Sequence, residues 1–318
     1  MCYERRDGEE RLMQGMKLSR FFLGNNSSEG LISVSEQLSK LFKGKNANEL
    51  RKAVVIFCGD TAVDGVNQTQ GKLSYKEAVV VSQGYAPINA VARHINAPVY
   101  IIDVGLQQDV QTVSGILSQK VIHGTHQGYP AMDKEVTGHA IAVGVSVGRS
   151  LVKDGVQAVG LGHIGERAML SALSVTMTIL HEELEQASKQ NGYQLQLKDV
   201  GDFRVDPIGV LAAVGSSEIA ALFGLITELA RNKVAIVFDD AVTGSAVLSA
   251  VNVYPNVREC VFPSLNYEEP IHKMQMKALH MEPCLHYPIT GGAGIGAAIG
   301  LILLEQAMLL IDKEEVEK

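Results

Sequence analysis

"VQAVGLGHIGERAML", residues 156–170, reads as a strand, a glycine-rich turn and the start of a helix. Four other runs have the same apolar, β-branched character: "AVVIFCG" (53–59), "PVYIIDVG" (98–105), "KVAIVFDD" (233–240) and "RECVFPS" (258–264). Near-continuous apolar strands of this kind suit a parallel sheet covered on both faces. Helical patterns alternate with them, so the expected fold is α/β, a Rossmann-like, doubly wound and mainly parallel sheet.

The helical patterns carry their own signals. Ser216 or Ser217 is placed to cap a helix whose Ile219, Leu222, Phe223, Ile226 and Leu229 share a face. "EEPIHKMQMKALHM" is expected to put Glu268 and Glu269 in a first turn, with a Glu269–Lys273 pair one turn on. "ERAMLSALSVTMTILHEELEQASKQ" reads as one long amphipathic helix, and "GYPAMDKEVTG" (128–138) and "NNSSEG" (25–30) as loops. A helix around Leu31–Phe42 and the last helix fall outside the alternation and form the expected small helical domain. The expected division is therefore 1–50 for the N-terminal segment, 51–265 for the Rossmann-like domain, and 266–318 for the C-terminal helices and glycine-rich loop.

Composition narrows the function classes. The net charge of −7 argues against a nucleic-acid surface, and the absence of Trp argues against a stacking platform. The cysteines Cys2, Cys58, Cys260 and Cys284 match no zinc spacing and read as reduced thiols. The charged start "MCYERRDGEERL" lacks the apolar core of a secretory signal, so the cytoplasm is the expected location. Pro283–Leu304 has no charged residue, but Pro288 and its glycine cluster leave a helix too short to span a bilayer. Neither a metal nor a cofactor is expected; "HGTH" (123–126) sits in a loop without a third ligand.

In an open parallel sheet, ligands gather outside the carboxyl ends of the strands. Those ends are Gly59-Asp60, Asp103–Gly105, Gly160–His163, Asp239-Asp240 and Pro263-Ser264. Gly160, Gly162 and Gly165 spell the Gly-x-Gly-x-x-Gly of a dinucleotide fingerprint. The acid such a fingerprint needs about 20 residues on should close a strand, and here that stretch is helical. A tight strand–helix turn near a ligand is the alternative. "VAIVFDDAVTGSA" (234–246) is similar to a ribose-phosphate loop, but one residue short between its acids and its turn.

Taken in order, the pieces resemble one family, the nicotinate-nucleotide:dimethylbenzimidazole phosphoribosyltransferases of cobamide lower-ligand synthesis. "KAVVIFCGDTAVDGV" resembles its first strand and Asp-His-Gly-Val turn, and "GLGHIG" its Gly-x-Gly-Glu-x-Gly. "DPIGVLAAVGSSEIAALFG" resembles its Asp-x-x-x-x-Leu-x-x-x-Gly-x-x-(Asp/Glu) helix pair, and "FDDAVTGSA" its Asp-Gly-Phe-x-Ser/Thr strand end. "MEPCLHYPITGGAGIGAA" resembles its Met-Glu-Pro-x-Leu and Gly-Glu-Gly-x-Gly-Ala-Ala. The likeness runs from about residue 28 to 311.

The resemblance implies phosphoribosyl transfer from nicotinate mononucleotide to an aromatic base. In the family the Gly-Glu-Gly glutamate is the general base, and an Asn-Thr-Thr run holds the phosphate. This chain departs at those positions, with Ala293 for the base, His163 for the acid of the Gly-x-Gly-Glu turn, and Ala168, Met169 and Leu170 for the phosphate donors. Thr61 replaces the His of Asp-His-Gly-Val. In these respects the chain is most similar to the Glu-lacking subunit of the heterodimeric phenol/p-cresol phosphoribosyltransferase, and a related Glu-bearing partner is expected. No catalytic residue is expected in this chain. Substrate-binding candidates are Asp60, Thr69, Glu77, Gly160, Gly162, His163, Gly165, Asp239, Gly292 and Gly294. Two alternatives stay open: a self-sufficient enzyme with His163 as base, and a nucleotide- or ribazole-binding regulatory protein.

Overall fold

The computed structural model describes residues 27–42, 50–63, 71–181, 200–283, 285 and 292–309, and the statements below concern these. Thr69, Cys2, Cys284 and the helical reading of 182–190 lie outside them. Six parallel strands form the main sheet in the order β4-β3-β1-β6-β7-β8. They are β1 (Lys52–Gly59), β3 (Val99–Gly105), β4 (Ile116–Ser118), β6 (Ala158–Ile164), β7 (Ala235–Phe238) and β8 (Val261–Pro263). A separate parallel pair, β2 (Thr61–Ala62) and β5 (Thr125–His126), extends the end of β1, so the "HGTH" stretch ends in a strand bridge.

The helices are α1 (Ser27–Leu41), α2 (Lys72–Ser82), α3 (Pro87–His94), α4 (Lys134–Lys153) and α5 (Ala168–Ile179). They continue with α6 (Pro207–Val214), α7 (Ser217–Arg231), α8 (Ala241–Val253), α9 (Pro270–Leu279) and α10 (Ile295–Met308). β1 is central because its sequence allows nothing else: Ala53 to Cys58 are wholly buried. Each large side chain in that run gains about 1.5–3 kcal/mol from leaving water. Chain contacts divide the protein into one unit of Met1–Leu50 with Ile302–Lys318, and another of Arg51–Leu301. α9 and the first half of α10 go with the sheet.

Local readings needed several corrections. The helix α4 begins at Lys134, inside the stretch read as a loop, and α1 begins at Ser27. α7 is buried almost all round rather than on one face, because it lies between α4, α8 and the ends of β1, β3 and β7. Ser216 precedes it without capping it; its hydroxyl donates to Glu218 at 2.7 Å instead. Glu269 is the residue before α9, and Lys273 pairs with Glu268 instead, because a helix starting at Pro270 leaves both acids ahead of its first turn.

The α4–α7 contact explains why both helices carry mid-helix glycines. A methyl at Gly144 would overlap the Ala221 carbonyl, and one at Gly224 would overlap the Ile141 carbonyl. The two backbones touch, with no side chain between them. Gly144→Ala is expected to destabilise the protein by about 1–3 kcal/mol despite alanine's better helix propensity, because the overlap is with backbone. Denaturant unfolding of the variant checks this; an unchanged midpoint would mean that the helices slide apart freely.

Candidate active site

The sheet reverses its winding between β1 and β6, and the crevice at their carboxyl ends is where an α/β sheet takes its ligand. Asp60 closes β1 there and is buried. Its Oδ2 accepts the Gln107 amide at 2.8 Å and its Oδ1 the Glu166 amide at 2.8 Å. Its own backbone bonds Gly105 and Thr125. Asp60 thus ties the loops after β1, β3 and β6 together, and both its oxygens are engaged in that task.

The glycines of "GLGHIG" serve packing. β6 runs on to Ile164, so Gly160 and Gly162 lie within the strand, on one face of it. An added Cβ at Gly160 would come within 3.3 Å of Ala297 and Leu301 on α10. At Gly162 it would meet Gly294 N at 2.8 Å and the Ala293 carbonyl at 2.9 Å. The turn 292–294 therefore sits directly on β6, and a methyl at Gly165 would overlap the Gly59 carbonyl. Gly160 and Gly162 thus stand in the strand, in neither a dinucleotide-binding turn nor a tight strand–helix turn, and of the three only Gly165 lies beyond the strand end.

Asp239 fastens the same turn from the other side. Its Oδ2 accepts the Gly296 amide at 3.0 Å, and its Oδ1 takes the hydroxyls of Ser264, at 3.1 Å, and Tyr267. Burial and the neighbouring Asp240 charge raise its pKa to about 6, against the pull of these donors. Gly292 and Gly294 belong to the held turn, and Ala293 within it has φ +48° with 5% of its surface exposed. A non-glycine residue in that region is strained, and such strain concentrates at functional sites.

His163 is the electrostatic centre. Its Nδ1 lies 3.0 Å from Asp240 Oδ2, an ion pair within the buried crevice. Asp240 is fixed as the N-cap of α8, accepting the Val242 and Thr243 amides at 3.0 and 3.1 Å. Burial alone would lower the His163 pKa, but the Asp240 carboxylate, helped by Glu218 and Glu77, lifts it to about 9. The imidazole is therefore a cation at neutral pH. Glu218, wholly buried, is pushed by burial up to about 7. Partial desolvation raises Glu77 and Glu269 as well, with His163 pulling both back. Glu77 stands on the exposed side of α2, and among the described residues its Oε1 comes 3.7 Å from an added Cβ at Gly292.

The turn after β6 has changed its donors. Met169 is half-buried and Leu170 is exposed, so neither offers a hydrogen bond where the resemblance expects hydroxyls. Arg167, with φ +61°, stands ahead of α5 and donates to the Thr61 carbonyl. Thr61 and Ser171 share a hydrogen bond at 3.1 Å. Arg167 is a cation at a helix N-terminus that the sequence reading passed over, because it counted hydroxyls rather than charge.

The structure thus gathers Glu77, Gly162, His163, Asp239, Gly292 and Gly294 around one turn, with Asp60, Gly160 and Gly165 shaping its floor. It adds Asp240, Glu218, Tyr267 and Glu269. Asp240 and Glu218 stood inside quoted motifs, as the second acid of "FDD" and the acid of the helix pair. Among the described residues no cluster of three or more His, Cys, Asp or Glu could hold a metal, and no helix is long and apolar enough to cross a membrane.

A sheet that reverses at β1/β6, with a glycine turn clamped over the crevice, defines a ligand-binding α/β protein. A phosphoribosyltransferase family model matches residues 25–317, and the chain belongs to that family. The nicotinate-nucleotide–dimethylbenzimidazole phosphoribosyltransferase of Acetivibrio thermocellus is 30% identical over 275 residues, spanning 81% of this chain and 78% of that protein. Its counterpart from a Geobacter species is 28% identical over 305 residues, spanning 89% and 87%. The crystal structure of the Thermus thermophilus enzyme of that name is similar with a TM-score of 0.76 at 26% identity, covering 96% of this chain and 95% of that one.

The His163 and Glu218 shifts act on stability in the same direction. Raised from 6.5 to about 9, His163 stabilises the fold fully below pH 6.5, and that contribution is lost as pH rises through 9. Glu218, raised from 4.5 to about 7, favours the fold when protonated, and its contribution is lost as pH rises through 7. Melting temperature is expected to peak in mild acid and to decline toward pH 9. His163→Gln should flatten the upper part of that decline and Glu218→Gln the lower. Melting curves across the range check both; an unaltered upper decline in the His163 variant would show that the Asp240 pairing does not hold the proton.

Proposed function

We propose that this chain is a catalytically degenerate subunit of a phosphoribosyltransferase that moves phosphoribosyl from nicotinate mononucleotide to an aromatic cobamide base. One observation carries this: the glycine turn keeps its shape and its seat on Gly162, yet holds Ala293 and no ionisable side chain. A positioned base contributes about 10²- to 10⁴-fold to such a step. The side-chain donors expected at 168–170 are missing as well, so a related Glu-bearing partner is the natural complement. His163 is a poor substitute base, because Asp240 already holds a proton on it.

The test is a transfer assay with nicotinate mononucleotide and phenol or dimethylbenzimidazole. The chain is assayed alone and co-expressed with a homologue carrying the loop glutamate. The expected result is co-purification, with activity at least about 10²-fold above that of the chain alone. Equal activity from the chain alone would sink the paired-subunit reading. A nicotinate mononucleotide-induced melting shift with no transfer in either sample would point to a binding protein instead.

A further inference from the structure

Glu218 lies wholly buried beneath the crevice, in the first turn of α7, and the transfer chemistry gives it no task. Ser216 and Ser217 donate their hydroxyls to its two oxygens at 2.7 and 3.4 Å. Its Oε2 presses on the end of β1, where a methyl on Gly59 would overlap it. Ser217 closes the other side. A methyl on Gly105 would overlap its hydroxyl, and its amide donates to the Thr125 hydroxyl at 3.1 Å. Gly105 and Thr125 stand on either side of β4 in the chain, yet they are fastened together at the end of β1. The Gly124 amide donates to the Gly105 carbonyl at 3.1 Å, and the Thr125 amide to the Asp60 carbonyl at 2.7 Å. The Gln107 amide donates to the Asp60 carboxylate at 2.8 Å. Segments 105–108 and 124–125 thus roof the buried carboxyl.

Titratable groups face Glu218 from several elements. β1 supplies Cys58 and Asp60, β6 His163, and the end of β3 Asp103, with Lys120 3.4 Å from it. Asp239 and Asp240 follow β7, and α2 adds Glu77, within the field of His163. α4 buries Thr137, Ala140, Gly144 and Gly148, and α8 contains no titratable side chain. Burial drives Glu218 toward its neutral form and lifts its pKa to about 7. The Ser216 hydroxyl, its own amide and the His163 cation oppose this, while the Asp60 charge adds to it. Once ionised, Glu218 is a second negative charge beside Asp60 in a place closed to water, and admitting water relieves it.

We propose that Glu218 is a proton-operated latch under the crevice: neutral, it keeps segments 105–108 and 124–125 shut against the end of β1, and ionised, it lets them part. The latch goes beyond the phosphoribosyltransferase reading and does not depend on it. An acid raised from 4.5 to about 7 in the closed state stabilises that state fully below pH 4.5, and the contribution is lost as pH rises to 7. Above that, closed and open states both carry the charge, and the opening equilibrium levels off.

The experiment is amide hydrogen exchange from about pH 5 to about pH 8 on the full chain, for wild type, Glu218→Gln and Ser216→Ala. Each rate is divided by that of the unprotected amide. In wild type, opening at the Gln107, Gly124 and Thr125 amides is expected to rise by about 10- to 10²-fold up to pH 7 and then level off. The Leu225 amide, in the α4–α7 contact, should not follow. Glu218→Gln should abolish the rise. Ser216→Ala removes a donor to the charged form, so its levelling-off should move to higher pH. No rise in wild type, or an equal rise in Glu218→Gln, overturns the proposal; in the second case Asp239, raised to about 6, would be the source. A rise shared by Leu225 overturns it too, because the whole fold would then be loosening. If Glu218→Gln does not fold, Ser216→Ala decides: levelling-off at the wild-type pH rules the latch out.

Discussion

Asp60 is the constraint on which the crevice depends. A carboxylate buried at the end of a central strand is costly unless its oxygens are satisfied, and here two loop amides satisfy them. Those loops follow β3 and β6, the strands on either side of β1. Their mutual position is therefore fixed by one side chain, before any ligand arrives. The Gly59–Gly165 approach and the β2–β5 pair are possible only because those loops are so held. On this floor the glycine turn finds a flat seat on β6.

The charges above that floor are paired. His163 at the end of β6 faces Asp240 at the N-cap of α8, 3.0 Å away. Glu218 and Asp239 have raised pKa values beside them, so the crevice concentrates protonatable groups.

Much of this was readable beforehand, for identifiable reasons. The strands were legible because burial on both faces leaves no room for polar residues, and their ends located the crevice directly. Gly160 and Gly162 read as part of a tight turn and lie in the strand instead, because spacing alone does not separate the two. α4 was missed because its Thr137, Ala140, Gly144 and Gly148 face reads as weakly apolar, and only contact with α7 makes it a core face. Glu77 was placed, but its reach toward Gly292 depends on how α2 is hung after β2, which no local pattern encodes. Arg167 and Glu269 act through distance and charge, and neither leaves a periodic trace.

Ala293 shows how tightly the glycine turn is held. A left-handed backbone costs an alanine about 1–2 kcal/mol, which a glycine would not incur. The methyl it carries is packed into the wall of the crevice, with 5% of its surface exposed. The strained residue is therefore held by its neighbours, and a longer side chain there would have to displace them before it could reach the crevice.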